Sequence, residues 1–194
     1  MPKYSVADLP THYDQITHED KENIIDDLMN LYSKKVYLLA YSYVKDQGLA
    51  EDISQEVFLK CYKSLNQFRG ESQISSWIYR ITANTAKDYL RSKSFNILKY
   101  PKSFFEGLTK RDTPEDEVLK KDQKEVVLQT VLSLSTKYRE IIILHYFQDE
   151  KLETIAEILN LNINTVKTRL SRGRLILKEK LISFTGGDLL GKKS

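Results

Sequence analysis

The run Thr154-Ile155-Ala156-Glu157-Ile158-Leu159-Asn160-Leu161-Asn162-Ile163-Asn164-Thr165-Val166-Lys167-Thr168-Arg169-Leu170 leaves the backbone few choices. Ile155, Ile158 and Leu159 recur at helical spacing, and Ala156 is small enough for a second helix backbone to approach closely. Asn160 tolerates the left-handed conformation that ends a helix, a role more often given to glycine. Asn162 is placed to cap the next helix, which is expected to bury Ile163, Val166, Leu170, Gly173 and Leu177. Asn164, Thr168, Ser171 and Arg172 then face the other way, flanked by Thr165, Lys167, Arg169 and Arg174. From Asn164 to Lys180 six cations stand against Glu179 alone, a net charge of +5. A solvated basic helix would carry the same charge, but the preceding helix, the turn chemistry and Ala156 favour a helix-turn-helix. Docked in a major groove, its second helix can bring Arg, Lys, Asn and Thr to base edges and phosphates. Taken alone, the motif does not separate a repressor, a two-component regulator and a polymerase subunit.

The rest of the chain also reads as helical. Seven glycines and four prolines are few for 194 residues, and no strong strand alternation is present. The expected fold is all-α, with two small helical domains joined by a flexible linker. Residues 1–22 form an acidic extension. Residues 23–93 form the first domain, with helices over Ile24–Val44, Leu49–Asn66 and Ile74–Arg91. Its first helix buries Leu28, Tyr32, Val36, Leu39 and Tyr43, and Asp46-Gln47-Gly48 ends that helix. In the linker, 94–121, the breakers Pro101, Gly107 and Pro114 interrupt the helical pattern. Thr113 before Pro114 and Glu115 is a good helix start. Residues 122–182 form the second domain, with helices over Glu125–Leu134, Lys137–Phe147, Leu152–Leu159 and Asn164–Leu181. From Ser183 a glycine-bearing tail frays.

Charge is unevenly placed. Met1–Asn30 holds seven acids against Lys3 and Lys21, a net of −5, whereas the last helix is strongly basic. This asymmetry suits nucleic acid at one end and a protein partner or solvent at the other. Cys61 is the single cysteine, which excludes a disulfide framework and fits a cytoplasmic protein. No apolar run is long enough to span a bilayer, so no membrane insertion is expected.

Catalysis has little footing. His12, His18 and His145 are isolated, no metal-ligand spacing exists and no phosphate-binding glycine loop is present. No catalytic residue, metal or cofactor is expected. His145 reads as a packed or capping residue, and Glu150 and Glu153 as surface carboxylates.

Two further constellations carry a signal. On the second helix Asp52, Gln55, Glu56 and Leu59 share the side opposite Ile53, Val57, Phe58, Cys61 and Leu65. A leucine among acids on an outward face suits a protein-binding surface. Downstream, Phe68-Arg69-Gly70-Glu71-Ser72 is a glycine turn with an aromatic and a cation, leading into Trp77, Tyr79 and Arg80. That mixture suits single-stranded nucleic acid, although Trp77 and Tyr79 read better as core. Arg80, Asn84, Lys87, Asp88 and Arg91 recur on one helical strip.

In this order the pieces resemble an extracytoplasmic-function (ECF) sigma factor of the sigma-70 family, over about Ile24–Leu181. Ala50-Glu51-Asp52-Ile53-Ser54-Gln55-Glu56-Val57-Phe58-Leu59-Lys60 is similar to the family's polymerase-core-binding motif. The resemblance implies that Asp52, Gln55, Glu56 and Leu59 contact the clamp helices of the largest polymerase subunit. Phe68-Arg69-Gly70-Glu71-Ser72, with Ser76–Asn84 and Asp88–Arg91, resembles the segment that opens and reads the −10 promoter element. By that likeness the turn receives a flipped base, with Arg80, Asn84, Lys87, Asp88 and Arg91 nearby. Thr165-Val166-Lys167-Thr168-Arg169-Leu170-Ser171-Arg172-Gly173-Arg174 closely resembles the −35 recognition helix, with Gly173 where alanine is usual. The DNA-binding set is then Asn164, Thr165, Lys167, Thr168, Arg169, Ser171, Arg172 and Arg174.

The implied function is that of an alternative sigma factor directing promoter recognition, melting and initiation for a stress-responsive regulon. Its implied partners are bacterial RNA polymerase core (clamp helices and flap), promoter DNA in duplex and single-stranded form, and a membrane-bound anti-sigma factor. Two other readings compete: a helix-turn-helix regulator acting without polymerase, and an enzyme or RNA-processing protein that docks its substrate on the basic helix. The Asp52–Leu59 face argues against the first, and the lack of catalytic spacing against the second.

Overall fold

A computed structural model describes residues 18–68, 70, 72–92 and 126–185, with backbone alone at 184 and 185. All regular structure among them is helical. The helices are α1 (His18–Val44), α2 (Gln47–Ser64), α3 (Ile74–Arg91), α4 (126–133), α5 (Thr136–Ile142), α6 (Leu152–Leu159) and α7 (Ile163–Thr185). Two compact units result. The first contains α1–α3; the second contains α4, α5 and α7, and the division cuts α6, whose residues from Glu157 group with the first. No described helix is long and apolar enough to cross a membrane. Thr113-Pro114 and the whole of the expected linker, 94–121, lie outside the described residues.

α1 begins at His18, six residues before the expected Ile24. The apolar stripe marks only where burial starts; Glu19 and Asp20 in the first turn complement the helix dipole and extend the helix through polar sequence. α1 ends at Val44 as expected, but the turn is made by Lys45 at φ 55° and not by Asp46-Gln47-Gly48, since Gln47 and Gly48 already belong to α2. Asp46 instead starts α2, its Oδ1 accepting a 2.8 Å bond from the Leu49 amide.

The three helices of the first unit pack pairwise. Leu28, Val36 and Leu39 of α1, Ile53, Val57 and Cys61 of α2, and Ile78 and Tyr79 of α3 are fully shielded from solvent. Ala40, Ala50, Ala83 and Ala86 are equally buried and bring the backbones close. Each buried Leu or Ile contributes about 1.5–3 kcal/mol over its exposed state. The Tyr79 ring meets Tyr32 edge to face at 6.2 Å. Tyr79 is thus a core residue, as expected, and Trp77 is half-buried.

In the second unit α4 and α5 are tied by Arg139, which donates to the Leu132 carbonyl at 2.6 Å and to Thr136 Oγ1 at 3.1 Å. The expected helix over Lys137–Phe147 is present, but its last turn, Ile143–Phe147, is π-helical, closed by the Gln148 amide on the Ile143 carbonyl. His145 Nδ1 lies 3.0 Å from the Glu150 carbonyl, in keeping with a capping role. Glu150, expected at the surface, is buried because the Asp149 turn (φ 60°) folds it inward, its amide bonded to the Leu144 carbonyl.

The α6–α7 turn follows its sequence closely. Asn160 is left-handed at φ 51°, and the Leu161 amide reaches back to the Ala156 carbonyl at 2.9 Å. Asn162 Oδ1 then accepts from the Asn164 amide at 2.8 Å, capping α7. α7 continues to Thr185, beyond the expected fraying at Ser183.

Candidate nucleic-acid interface

The basic helix α7 has two distinct sides. Val166, Leu170 and Gly173 are buried, while Asn164, Lys167, Thr168, Ser171, Arg172 and Arg174 are exposed. Ile163 and Leu177, expected in the core, are half-buried at the edge of the seam. Gly173 is where α7 meets α5: a β-carbon there would lie 3.3 Å from Tyr138 Cβ and 3.5 Å from Ile142 Cγ1. Thr168 Oγ1 bonds back to the Asn164 carbonyl at 2.8 Å, which orients it on the outward face. Thr165 and Arg169 sit between the two sides. Arg169 Nη1 is 3.6 Å from Glu140 Oε1 of α5. Leu175 is also exposed, a large apolar residue on the charged face that the helical pattern did not single out.

α3 spans Ile74–Arg91, the range expected from sequence. Arg80, Asn84, Asp88 and Arg91 are exposed along one strip, with Arg91 Nη1 3.8 Å from Asp88 Oδ1. Lys87 is half-buried and lies over the Tyr43 ring at 5.7 Å, so it also braces α3 against α1. In the turn before α3, Phe68 is 7% exposed and its ring lies 5.2 Å from Trp77. Phe68 therefore seats the turn in the core. Gly70 adopts φ 69° in open space, and Ser72 is half-buried. Arg69 and Glu71 lie outside the described residues.

The α2 face places Leu59 60% exposed between Gln55, also exposed, and half-buried Asp52 and Glu56. Two residues that the sequence reading did not single out organise this face. Lys60 Nζ lies 2.8 Å from Glu56 Oε1 and donates to Thr85 Oγ1 of α3 at 3.0 Å. Tyr89 of α3 is hydrogen-bonded to Glu56. Burial pushes the Glu56 carboxyl up, but the bonds from Lys60 and Tyr89 and the Lys60 charge outweigh it and hold the group below its ordinary value. Burial, and then Asp46, raises Asp52. The Tyr89 phenol is pushed up to about 12, first by burial and then by Glu56. Such pairs link α2 to α3 across a gap that no local spacing reveals. Cys61 lies on the opposite, buried side, its thiol pushed up to about 12 by burial, which leaves it protonated and inert. Among the described residues no cluster of His, Cys, Asp or Glu could hold a metal ion.

A helical unit with an acid-and-leucine face, followed in sequence by a unit carrying a basic helix-turn-helix, is the architecture of a promoter-recognition factor. Residues 28–95 match the model of Sigma-70 region 2, and residues 119–177 match that of Sigma-70, region 4. The chain is 36% identical over 163 residues to the ECF RNA polymerase sigma factor SigW of Bacillus subtilis, covering 80% of this chain and 87% of that one. It is 40% identical over 159 residues to the RNA polymerase sigma factor SigV of the same organism, covering 81% and 89%. With the ECF RNA polymerase sigma-E factor of Escherichia coli it shares 34% over 158 residues, covering 77% and 82%. The fold is similar to CnrH in its complex with the cytosolic domain of CnrY, with a TM-score of 0.60, 20% identity, and 84% of this chain and 90% of that chain covered. It is likewise similar to the sigma factor RpoE of Bartonella quintana, solved with the anti-sigma factor NepR, with a TM-score of 0.60, 22% identity, and 80% and 95% covered. The chain belongs to the ECF RNA polymerase sigma factors of the sigma-70 family, and its function is that of an alternative sigma factor in transcription initiation.

Proposed function

We propose that the first unit, about residues 23–93, docks on bacterial RNA polymerase core through Asp52, Gln55, Glu56 and Leu59 and captures the opened −10 strand. The second, about residues 122–182, reads the −35 duplex through α7. The observation that carries this reading is Leu59, 60% exposed on a helix that buries Ile53, Val57 and Phe58 on its other side. A solvated face gains nothing from it, whereas a partner surface does. On α3, Arg80, Asn84, Lys87, Asp88 and Arg91 line the path of the single strand, and the turn Phe68–Ser72 receives the flipped base. On α7, Lys167, Arg172 and Arg174 supply phosphate and base contacts, with Asn164, Thr165, Thr168 and Ser171 beside them.

The protein itself forms and breaks no bond in this scheme; polymerase carries the catalysis, and the work takes place in the cytoplasm. A membrane-bound anti-sigma factor holds the protein inactive until a stress signal releases it. The similar sigma factor RpoE, solved with the anti-sigma factor NepR, supports an anti-sigma partner, while its attachment to a membrane rests on the family resemblance alone. Transcription in vitro with core polymerase and a pool of promoter sequences tests the assignment. Selection of a two-element promoter is the expected result. Specific duplex binding without any complex with core would instead establish a regulator that acts without polymerase.

A further inference from the structure

We propose that Glu140 of α5 is a positioning residue for promoter recognition, and that Arg169 serves with it as a brace for α7 and does not read the DNA. The inference rests on the sigma-factor reading of α7 and adds to it a residue outside the helix-turn-helix. Glu140 is 5% exposed, in a stretch where Ile141, Ile142, Ile143 and Leu144 are all buried. Burying a carboxylate there is costly unless a cation meets it. Arg169 meets it at 3.6 Å, with side-chain exposures of 29% for Arg169 and 6% for Glu140.

On α7, Arg169 is one turn from both buried Val166 and exposed Arg172, at the border of the two sides. Four residues on, Gly173 packs against Tyr138 and Ile142 of α5. A glycine contact permits close approach but resists rotation poorly, since it offers no side chain to interlock. The ion pair supplies a second fixed point beside it. Together they set the roll of α7 about its axis, and hence the direction in which Thr168, Ser171 and Arg172 leave the helix. Arg139, the preceding residue, anchors α5 to α4 at the Leu132 carbonyl, so the brace stands on a held element.

The test uses holoenzyme reconstituted from the full chain and core polymerase, on a promoter selected from a random pool. Glu140→Gln, Arg169→Gln and the double variant are compared with the wild type. Each single variant is expected to lower the ratio of promoter to scrambled-duplex binding by about ten-fold, the scale of one displaced base contact. The double variant should be no worse than either single one, and the slope of log K on log salt should be unchanged, because no phosphate contact is lost. Exchange of the pair, Glu140→Arg with Arg169→Glu, should recover part of the ratio.

A slope reduced by about 0.9 in Arg169→Gln, with Glu140→Gln silent, would make Arg169 a phosphate anchor and overturn the proposal. Melting temperatures that fall while the binding ratio holds would overturn it as well, leaving a purely structural pair. If Glu140→Gln does not fold, Arg169→Gln, at the border of the two sides, still decides through its salt slope. Failure of the wild-type holoenzyme to select any promoter would remove the sigma-factor reading itself, an outcome distinct from the others.

Discussion

Leu59 on α2 and Tyr89 on α3 illustrate two kinds of residue at the proposed polymerase-binding face. Leu59 touches solvent over most of its side chain, so Leu59→Ala should change stability by less than about 0.5 kcal/mol. The same change should weaken the complex with core polymerase by about ten-fold or more, as measured by titration of labelled protein with core. An equal loss of melting temperature and affinity would place Leu59 in the fold and not in the interface. Tyr89 is different, since its proton is held by the fold. Its folded value, about 12, lies above the ordinary 10.0, so the native state binds that proton longer than the unfolded chain. The resulting stability is complete below pH 10 and is lost as pH rises toward about 12. Cys61 contributes in the same sense from its ordinary 9.0 to about 12. Urea titrations across this range should therefore show a loss of stability that Tyr89→Phe flattens without abolishing. Glu56, held below its ordinary 4.5, acts on the acid side: its contribution is present above that value and disappears as pH falls through the lowered one.

At the scale of the element, the α6–α7 turn offers a direct check of backbone reasoning. A left-handed residue with a β-carbon costs roughly 1–2 kcal/mol, which asparagine offsets by local bonding. Asn160 holds φ 51°, so Asn160→Ala should destabilise by about 1 kcal/mol, while Asn160→Gly should be neutral. Thermal or urea unfolding of the two variants measures the difference; equal losses would show that the side chain, and not the conformation, matters. On α7, Arg172→Ala should cost about 1–3 kcal/mol of binding to the upstream element and leave stability unchanged. On α3, Asn84→Ala should slow strand opening at the downstream element, read by permanganate reactivity of unpaired thymines in the holoenzyme–promoter complex. Unaltered opening would remove Asn84 from the melting strip.

Elements were legible where local chemistry delimits them. Leu152–Leu159 and Ile74–Arg91 match their expected bounds because turn residues flank an unbroken helical period at both ends. The start of α1 was not legible, since dipole-favouring acids prolong a helix with no apolar mark. The π turn at Ile143–Phe147 also escaped, because a shift from one hydrogen-bond register to the next leaves the apolar pattern almost intact. Most of the exposed residues of α2, α3 and α7 could be read from periodicity, but exposed Leu175 and half-buried Lys87 and Arg169 could not, because spacing does not tell a face from its border. Their supports could not: Lys60 reaches Thr85, Glu56 reaches Tyr89 and Glu140 reaches Arg169 across long stretches of sequence. The one available signal, passed over in the sequence, is Arg139-Glu140 set against the apolar run Ile141–Leu144.

At the scale of the whole molecule, the proposed function divides promoter recognition between the two units, into tasks that would be weak apart. The α7 helix carries its net +5 on a short stretch, enough for salt-sensitive attachment to any duplex. The single-strand contacts proposed for the first unit would have no target until a duplex opens. On the proposed reading polymerase joins the tasks by holding both units at once, which would convert the second contact into an intramolecular one. The central claim is thus that promoter specificity belongs to the complex with core. Binding of a selected promoter and of a scrambled duplex should be measured by fluorescence anisotropy at fixed salt, with and without core polymerase. The chain alone should bind both duplexes weakly and about equally, and addition of core should favour the promoter by about a thousand-fold or more, the lower end of the range for specific over non-specific sites, roughly 10³–10⁷. Strong promoter preference in the chain alone, unchanged by core, would contradict the account.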